Sequence, residues 1–364
     1  MDFFQHRYYR TNKLLLTMIG QWPYQSTFVR RSFVVAVVSI GITIAIPQLM
    51  AIVKYRDDWE FLLESASPFI FELALVVKGT FSTWNSEKML TLFNHIRADW
   101  EVWGQEQEIK IIHEYAEQGR KMTIMYTGNL VVAQKLIEVI RIYQSKMIDI
   151  MLRNGSEPGE LSLPVYYYNI DMQKYYFHIS MHCFVCVTLG ALLTIAIDSR
   201  LIIFVLHGCG LFAAVGYRSP TNELTRDMDF EHIVSCIKGH NDAIEYTKLI
   251  ETIFSWCFFF LVGCNMLIIS VVGMQVKFVI YAYDELSSAV LDEISNNFRF
   301  LKGRTHNGRW YRLSQPAQKL LILIVMRCNV PCELTVGKIS TLSTKSFVTI
   351  LKASMSYFTL LRSV

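Results

Sequence analysis

The stretch FVVAVVSIGITIAIPQLMAIV, residues 33–53, contains no charged side chain. A helix needs about 20 mainly apolar residues to cross the hydrocarbon layer of a bilayer, so this segment predicts a membrane span. Further candidates lie along the chain. Residues 66–84 carry Glu72 and Lys78 in an otherwise apolar run, and residues 122–152 are interrupted by Gln134, Glu138, Arg141, Ser145 and Asp149. Those five stand three or four apart and mark one stripe of a helix, which in lipid must turn toward protein or a water-filled cavity. Residues 177–197 and 201–217 flank Asp198-Ser199-Arg200, 253–283 form a long apolar stretch, and 335–361 close the chain. Residues 86–121 read instead as an amphipathic helix lying on the membrane or on its neighbours, with Met89, Leu92, Phe93, Ile96, Trp100 and Trp103 at helical spacing.

Composition agrees with an all-α, multi-span membrane bundle. Charged residues make up 18% of the 364, against about 25% in a soluble domain, and the mean hydropathy is +0.29. With no linker, low-complexity tract or repeat, residues 1–364 read as one domain. A net charge of +4, well dispersed, gives no reason to invoke nucleic acid. The N-terminus, with Asp2 and only a short apolar run at 14–16, lacks the pattern of a cleaved signal peptide.

Lysine and arginine set the orientation. Arg7, Arg10, Lys13, Arg30 and Arg31 precede the first span, and Lys88, Arg97, Lys110, Arg120 and Lys121 follow the second. The positive-inside rule places both segments in the cytoplasm, and residues 153–176 then fall outside. That loop holds Asn154-Gly155-Ser156, the one N-x-Ser/Thr sequon of the chain, which suits an extracellular glycosylation acceptor.

The chemistry-bearing motifs are few. His178 and His182 stand at metal-binding spacing, but Ile179, Ser180 and Met181 between them supply no glutamate; core or pocket-lining histidines are the expectation. Cys183-x-x-Cys186 lies in an apolar run and Cys328-x-x-x-Cys332 has no second pair at zinc spacing, so inert thiols, no metal and no cofactor are expected. No phosphate-binding glycine loop or nucleophile elbow appears, so an enzyme is not expected. Lys78 is expected to snorkel from the cytoplasmic end of its span. Lys135, Glu138 and Arg141 can partly neutralise one another along their helix. The last segment is rich in hydroxyls (Ser340, Ser343, Ser346, Thr349, Ser354, Ser356 and Thr359) and carries Lys345 and Lys352, which suits tight helix packing or the wall of an aqueous pore.

In this last segment a family resemblance becomes specific. Arg309-Trp310-Tyr311-Arg312, Met326-Arg327-Cys328-Asn329-Val330-Pro331, Leu334-Thr335-Val336-Gly337-Lys338 and Leu351-Lys352-Ala353-Ser354-Met355-Ser356-Tyr357-Phe358-Thr359-Leu360-Leu361 resemble the C-terminal signature of insect odorant receptors. Weaker matches are Leu161-Ser162-Leu163-Pro164, Asp198, and His240 before Phe254-Ser255. The gustatory-type ending, Thr-Tyr then Gln-Phe, is not present.

The resemblance implies a seven-helix subunit with a cytoplasmic N-terminus (1–32), a ligand-binding bundle (33–283), a cytoplasmic loop and anchor (284–334) and a pore-lining last helix (335–361). It implies a tuning subunit of a hetero-tetrameric cation channel, formed with a shared co-receptor in the plasma membrane of an olfactory dendrite and gated by a small, volatile, apolar odorant. The matching pocket positions are Phe69, Phe71 and Glu72; Ile142, Tyr143 and Met147; and Tyr176, Ile179, Ser180 and Phe184. The pore positions are Ile350, Ser354 and Tyr357, where an apolar constriction gates by dewetting. Alternatives are a gustatory-type receptor and a non-conducting or decayed homologue.

One departure matters. The family pattern asks residues 251–283 to supply a fifth and a sixth span. About 33 residues reach roughly 50 Å as helix, enough for one crossing. That leaves six spans, strands the basic segment 299–319 outside, and predicts poor surface delivery and weak currents. A hairpin at Asp198-Ser199-Arg200 would restore the count, but a fourth helix running on into the cytoplasm is the expectation.

Asn154→Gln should abolish a glycosidase-sensitive mass shift of the chain in microsomes. Protease protection that places residues 153–176 inside overturns the orientation.

Overall fold

The computed structural model describes residues 3–102, 106–152, 163–168, 170–171, 174–218, 230–275, 334–341, 346, 348–350, 352–354 and 356; within these, the side chains of 59–60, 63–64, 102, 106, 137–152, 218, 230–232 and 272–275 are left out. Seven helices follow in order: α1 (Arg10–Met18), α2 (Thr27–Lys54), α3 (Trp59–Trp84), α4 (Ser86–Val102), α5 (Glu106–Leu152), α6 (Tyr176–Arg218) and α7 (Phe230–Gln275). Two short strands, β1 (Thr335–Val336) and β2 (Ser340–Thr341), come next, and Ser346, 348–350, 352–354 and Ser356 are again helical. The end carrying the N-terminal segment is called the inner end here.

Local chemistry explains where α2 and α3 begin. The Ser26 hydroxyl accepts the Val29 N–H, and the Asp58 carboxylate accepts the Phe61 N–H at 3.1 Å, each capping an otherwise unpaired donor. Three helices are long and apolar enough to cross a membrane: 27–54, 176–217 and 233–271. Their exposures differ. The apolar window of α6 is 67% buried within the protein and that of α2 17%, so α6 is the central post. On α2, Phe28, Val35, Val38, Ile42, Ile46 and Val53 are all exposed, as suits a helix that faces lipid.

The 43-residue α6 is unbroken, so Asp198-Ser199-Arg200 is not a turn and the hairpin alternative is excluded. These polar residues find partners inside the bundle. Lys78 Nζ donates to both carboxylate oxygens of Asp198 at 2.8 Å, and the Tyr126 hydroxyl donates to Asp198 Oδ2 at 2.6 Å. The expected snorkel is therefore corrected. Lys78 lies near the inner end of α3 as anticipated, but its side chain is only 12% exposed and turned onto α6. Arg200, 1% exposed, donates from Nη2 to Ser82 Oγ, which donates in turn to Gln21 Oε1.

The largest core occupies the inner half. It joins Phe4, Tyr9, Leu16 and Trp22 of the N-terminal segment to Met89, Leu92, Phe93 and Ile96 of α4, Phe204 and Phe212 of α6, and Ile233, Tyr246 and Ile250 of α7. The amphipathic reading of 86–121 holds for α4, whose apolar stripe faces protein. From Glu106 onward the segment is instead the first turns of α5. The N-terminal segment is built into the fold: Trp100 Nε1 donates to Tyr9 Oη at 3.0 Å, and Tyr8 Oη is hydrogen-bonded to His113 Nδ1 at 3.0 Å.

A second correction concerns the last segment. Residues 335–341 form an antiparallel hairpin with Thr335 opposite Thr341, so the final helix starts later than residue 335. Gly337 and Lys338 both have positive φ, 58° and 61°, the backbone of a tight hairpin turn. The Gly337 N–H donates to Ser255 O at 2.9 Å, and a Cβ at 337 would meet the Phe259 ring at about 3.0 Å; the positive φ and this close approach together favour glycine there. Farther along, Ser270 Oγ donates to Ser354 O at 3.2 Å.

Because 255 precedes 270 as 337 precedes 354, the last helix runs parallel to α7. Ser255 lies about 30 Å along the helix from Gln275, at the inner edge of a bilayer-thick slab. Within the described residues, α7 has the length and apolarity for one crossing. Yet Leu334 re-enters beside the inner level of Ser255, so residues leading into the last helix are not stranded at the outer end. Residues 276–333, on which the expectations of a shortened fifth–sixth region and of a basic segment stranded outside rest, lie outside the described residues.

Asp198→Asn should leave Lys78 and Arg200 without a carboxylate and lower the stability of the detergent-purified chain by on the order of 3 kcal/mol. Thermal unfolding measures this, and the Lys78→Met/Asp198→Leu pair should recover part of the loss. An unchanged midpoint for Asp198→Asn would show that the pair is dispensable.

Candidate functional site

The outer half of the bundle has its own small core. Ile44 of α2, Val165 of the outer loop, and Ile179 and Cys183 of α6 pack together, with Leu163, Tyr167 and Cys186 against them. Pro47 inside α2 removes one backbone donor from the helix ladder. Nearby, the Pro47 carbonyl accepts the Tyr166 N–H at 3.0 Å, so the loop is bonded to the helix backbone. Lys54 Nζ sits 3.6 Å from the Tyr166 ring centroid.

His182 ties three elements together. Its Nδ1 is hydrogen-bonded to Tyr167 Oη at 2.8 Å and its Nε2 to Thr43 Oγ1 at 2.9 Å, with Cys186 Sγ 3.5 Å from the same nitrogen. His182 is half-buried and bonded to its neighbours, in keeping with the core side of the expectation of core or pocket-lining histidines. His178 is corrected: it is exposed, in ring contact only with Tyr175 and Phe177, because α6 turns it away from the core. Among the described residues no three metal-ligating side chains converge. Cys183 and Cys186 are free thiols.

The sequence-derived pocket positions divide by helix geometry. On α6, Tyr176, Ile179, Ser180 and Phe184 share a face with Cys183; Ile179 is 6% exposed and the other three pocket positions half-buried. On α3, Phe69 and Glu72 are half-buried, whereas Phe71 is 45% exposed. Two residues apart on a helix are about 200° apart, so Phe69 and Phe71 cannot line one pocket. Ile142, Tyr143 and Met147 lie on the outer part of α5, and their side chains fall outside the described residues, as does Asn154. Of the polar stripe, Gln134 Nε2 donates to Thr188 Oγ1 of α6 at 2.9 Å, so that member faces protein. Lys135 lies 5.4 Å from the Phe184 ring centroid.

Sequence reasoning missed Gln48 and Ser65. Gln48 is 1% exposed, Ser65 is 2% exposed, and neither the Gln48 amide atoms nor Ser65 Oγ has a hydrogen-bond partner. The available signal was Gln48 as a lone amide following Pro47 in an uncharged span.

On the last helix, Ser354 is buried against α7, with Oγ donating to Ile350 O at 3.0 Å, and Ile350 is half-buried. The exposed face is made by Val348, Thr349, Lys352 and Ser356; three of these carry the polar groups that an aqueous wall uses. Tyr357 is outside the described residues.

An unbroken long helix at the centre, lipid-facing helices around it and a buried polar site near one end define a helical membrane receptor fold. The chain matches the 7tm Odorant receptor family over residues 58–285 and belongs to that family. It is 23% identical over 353 residues to odorant receptor Or2 of Anopheles gambiae, covering 89% of this chain and 90% of that one. To odorant receptor 13a of Drosophila melanogaster it is 29% identical over 203 residues, covering 46% and 48%. Its fold matches the olfactory receptor OR5 of Machilis hrabei, whose structure in complex with eugenol superposes with a TM-score of 0.74 over 97% of both chains at 13% identity.

His182→Phe should free the outer loop from α2 and α6. We expect faster limited proteolysis within 163–171 and a loss of about 1–3 kcal/mol in stability. Unchanged proteolysis would show that the histidine does not hold the loop.

Proposed function

We propose that this chain is the ligand-tuning subunit of an odorant-gated, non-selective cation channel. It works with the shared co-receptor as a hetero-tetramer in the plasma membrane of an olfactory neuron. The observation that carries the reading is the outer-half cluster around Ile179, where apolar side chains of α2, α6 and the outer loop surround a few polar groups. Small-ligand sites have that composition. The complex of a same-fold relative, OR5 of Machilis hrabei, with eugenol supports a small-molecule ligand.

Binding in the outer half biases the channel only through different affinities for its closed and open arrangements. The last helix packs on α7 through Ser270 and Ser354, so a shift of α7 reaches it directly. Ile350 and Tyr357, seven positions apart, serve as the apolar constriction of the ion path. Pocket residues then set which ligand acts, and last-helix residues set what every ion meets.

The test is co-expression with the co-receptor and recording of odorant-evoked current. Currents should be cation-selective, and small on the reading that the fifth–sixth region is shortened. Ile350→Ala and Tyr357→Ala should change conductance or ion selectivity, while Tyr143→Ala should shift only the ligand dose-response. No current from a chain confirmed at the surface favours a non-conducting homologue. Identical dose-response shifts from both groups, with selectivity unchanged, defeat the division of roles.

A further inference from the structure

We propose that the outer-half site selects oxygen-bearing volatiles (small alcohols, phenols and carbonyl compounds), and that Gln48 on α2 with Ser65 on α3 reads the oxygen. The inference rests on reading the outer half as the ligand site. It adds a helix, α2, that the sequence-derived pocket does not contain.

A buried donor or acceptor without a partner is rare in a native fold, because folding strips its water without replacing it. Among the described residues, Gln48 alone has two such atoms, Oε1 and Nε2, and Ser65 Oγ is a third. Other helical hydroxyls of the chain avoid this by bonding back along their own helix: Thr80 to Val76 O, Thr194 to Gly190 O and Ser270 to Met266 O. Ser65 does not use the equivalent Phe61 carbonyl.

These atoms lie at one level. α2 ends at Lys54 and α3 starts at Trp59, so Gln48 and Ser65 each stand six residues, about 9 Å, from the outer end of their helix. Glu72 stands two helical turns from Ser65 on the same face of α3. Its carboxylate interacts with the Gln48 side chain while remaining outside hydrogen-bonding geometry. Around them the walls are apolar: Ile44, one turn from Gln48 on α2, packs with Val165, Ile179 and Cys183.

The donor and acceptor count defines the ligand. A primary amide offers N–H donors and a carbonyl acceptor, and a serine hydroxyl serves as either. An alcohol or phenol satisfies Gln48 Oε1 with its own hydrogen while accepting from Nε2 or Ser65. A ketone, aldehyde or ether accepts only. A hydrocarbon leaves all three atoms unmet, although the apolar walls suit it. A site with preformed, unpaired polar groups therefore discriminates against the analogue that lacks the oxygen.

The experiment uses the full chain with its co-receptor and a six-carbon series: hexane, 2-hexanone and 1-hexanol. Wild type should respond to the alcohol and the ketone at concentrations about tenfold or more below those needed for the hydrocarbon. Gln48→Leu should erase that ratio while keeping or raising the hydrocarbon response, and Ser65→Ala should reduce it in part. Surface labelling confirms delivery of each variant. Ligand-induced thermal shifts of the purified wild-type chain give the same ranking without requiring current or a variant.

Ile179→Trp, which fills the cluster, separates the two readings. If it weakens all responses equally while Gln48→Leu leaves the oxygen preference intact, the ligand class is wrong and the site stands. If it changes nothing, the site reading falls and this proposal with it. Equal thermal shifts from hexane and 1-hexanol also overturn the proposal.

Discussion

A carboxylate and a guanidinium lie two positions apart in the middle of an uninterrupted 43-residue helix, and the bundle is arranged around that fact. Neither charge tolerates hydrocarbon, so α6 has to be surrounded by groups that answer Asp198 and Arg200. Lys78 from α3 and Tyr126 from α5 answer the first; Ser82 from α3, backed by Gln21 of the N-terminal segment, answers the second. These contacts fix which helices flank α6 and at what height. They also bring the N-terminal segment into the inner core, where its aromatic residues pack on α4.

The two halves follow different physics. Toward the inner end the interior is dense, with large side chains such as Phe93, Phe204, Phe212 and Tyr246 almost fully enclosed. Among the described residues the outer half has a four-residue cluster, a bonded loop and several polar atoms in an apolar setting. The extensive inner core carries stability, and the proposed recognition falls to the outer half.

Much of the architecture was legible because hydropathy and helical spacing act locally. The first span, the continuity of α6 and the apolar stripe of α4 are all written in neighbouring residues. Partnerships are not. Lys78 and Asp198 are 120 residues apart, and nothing in either segment tells snorkelling from pairing. The 335–341 hairpin was hidden because its strands are two residues each, too short for alternation to register. Phe71 was assigned to the pocket by resemblance, although its two-residue offset from Phe69 already opposed a shared face. Gln48 was overlooked because one amide barely changes the hydropathy of its span; its significance appears only when the surrounding atoms fail to pair with it.

The short hairpin ahead of the last helix has a mechanical consequence. Its backbone bond to Ser255, and the Thr335 hydroxyl bonded to Glu251 at 3.0 Å, fasten the base of that helix to α7. A rod held at its foot pivots instead of sliding. Displacement then grows with distance from the pivot: a tilt of about 5° moves a point 15 residues up the helix by roughly 2 Å. Because Ser270 also bonds Ser354 farther along, α7 and the last helix tilt together from that foot as one unit.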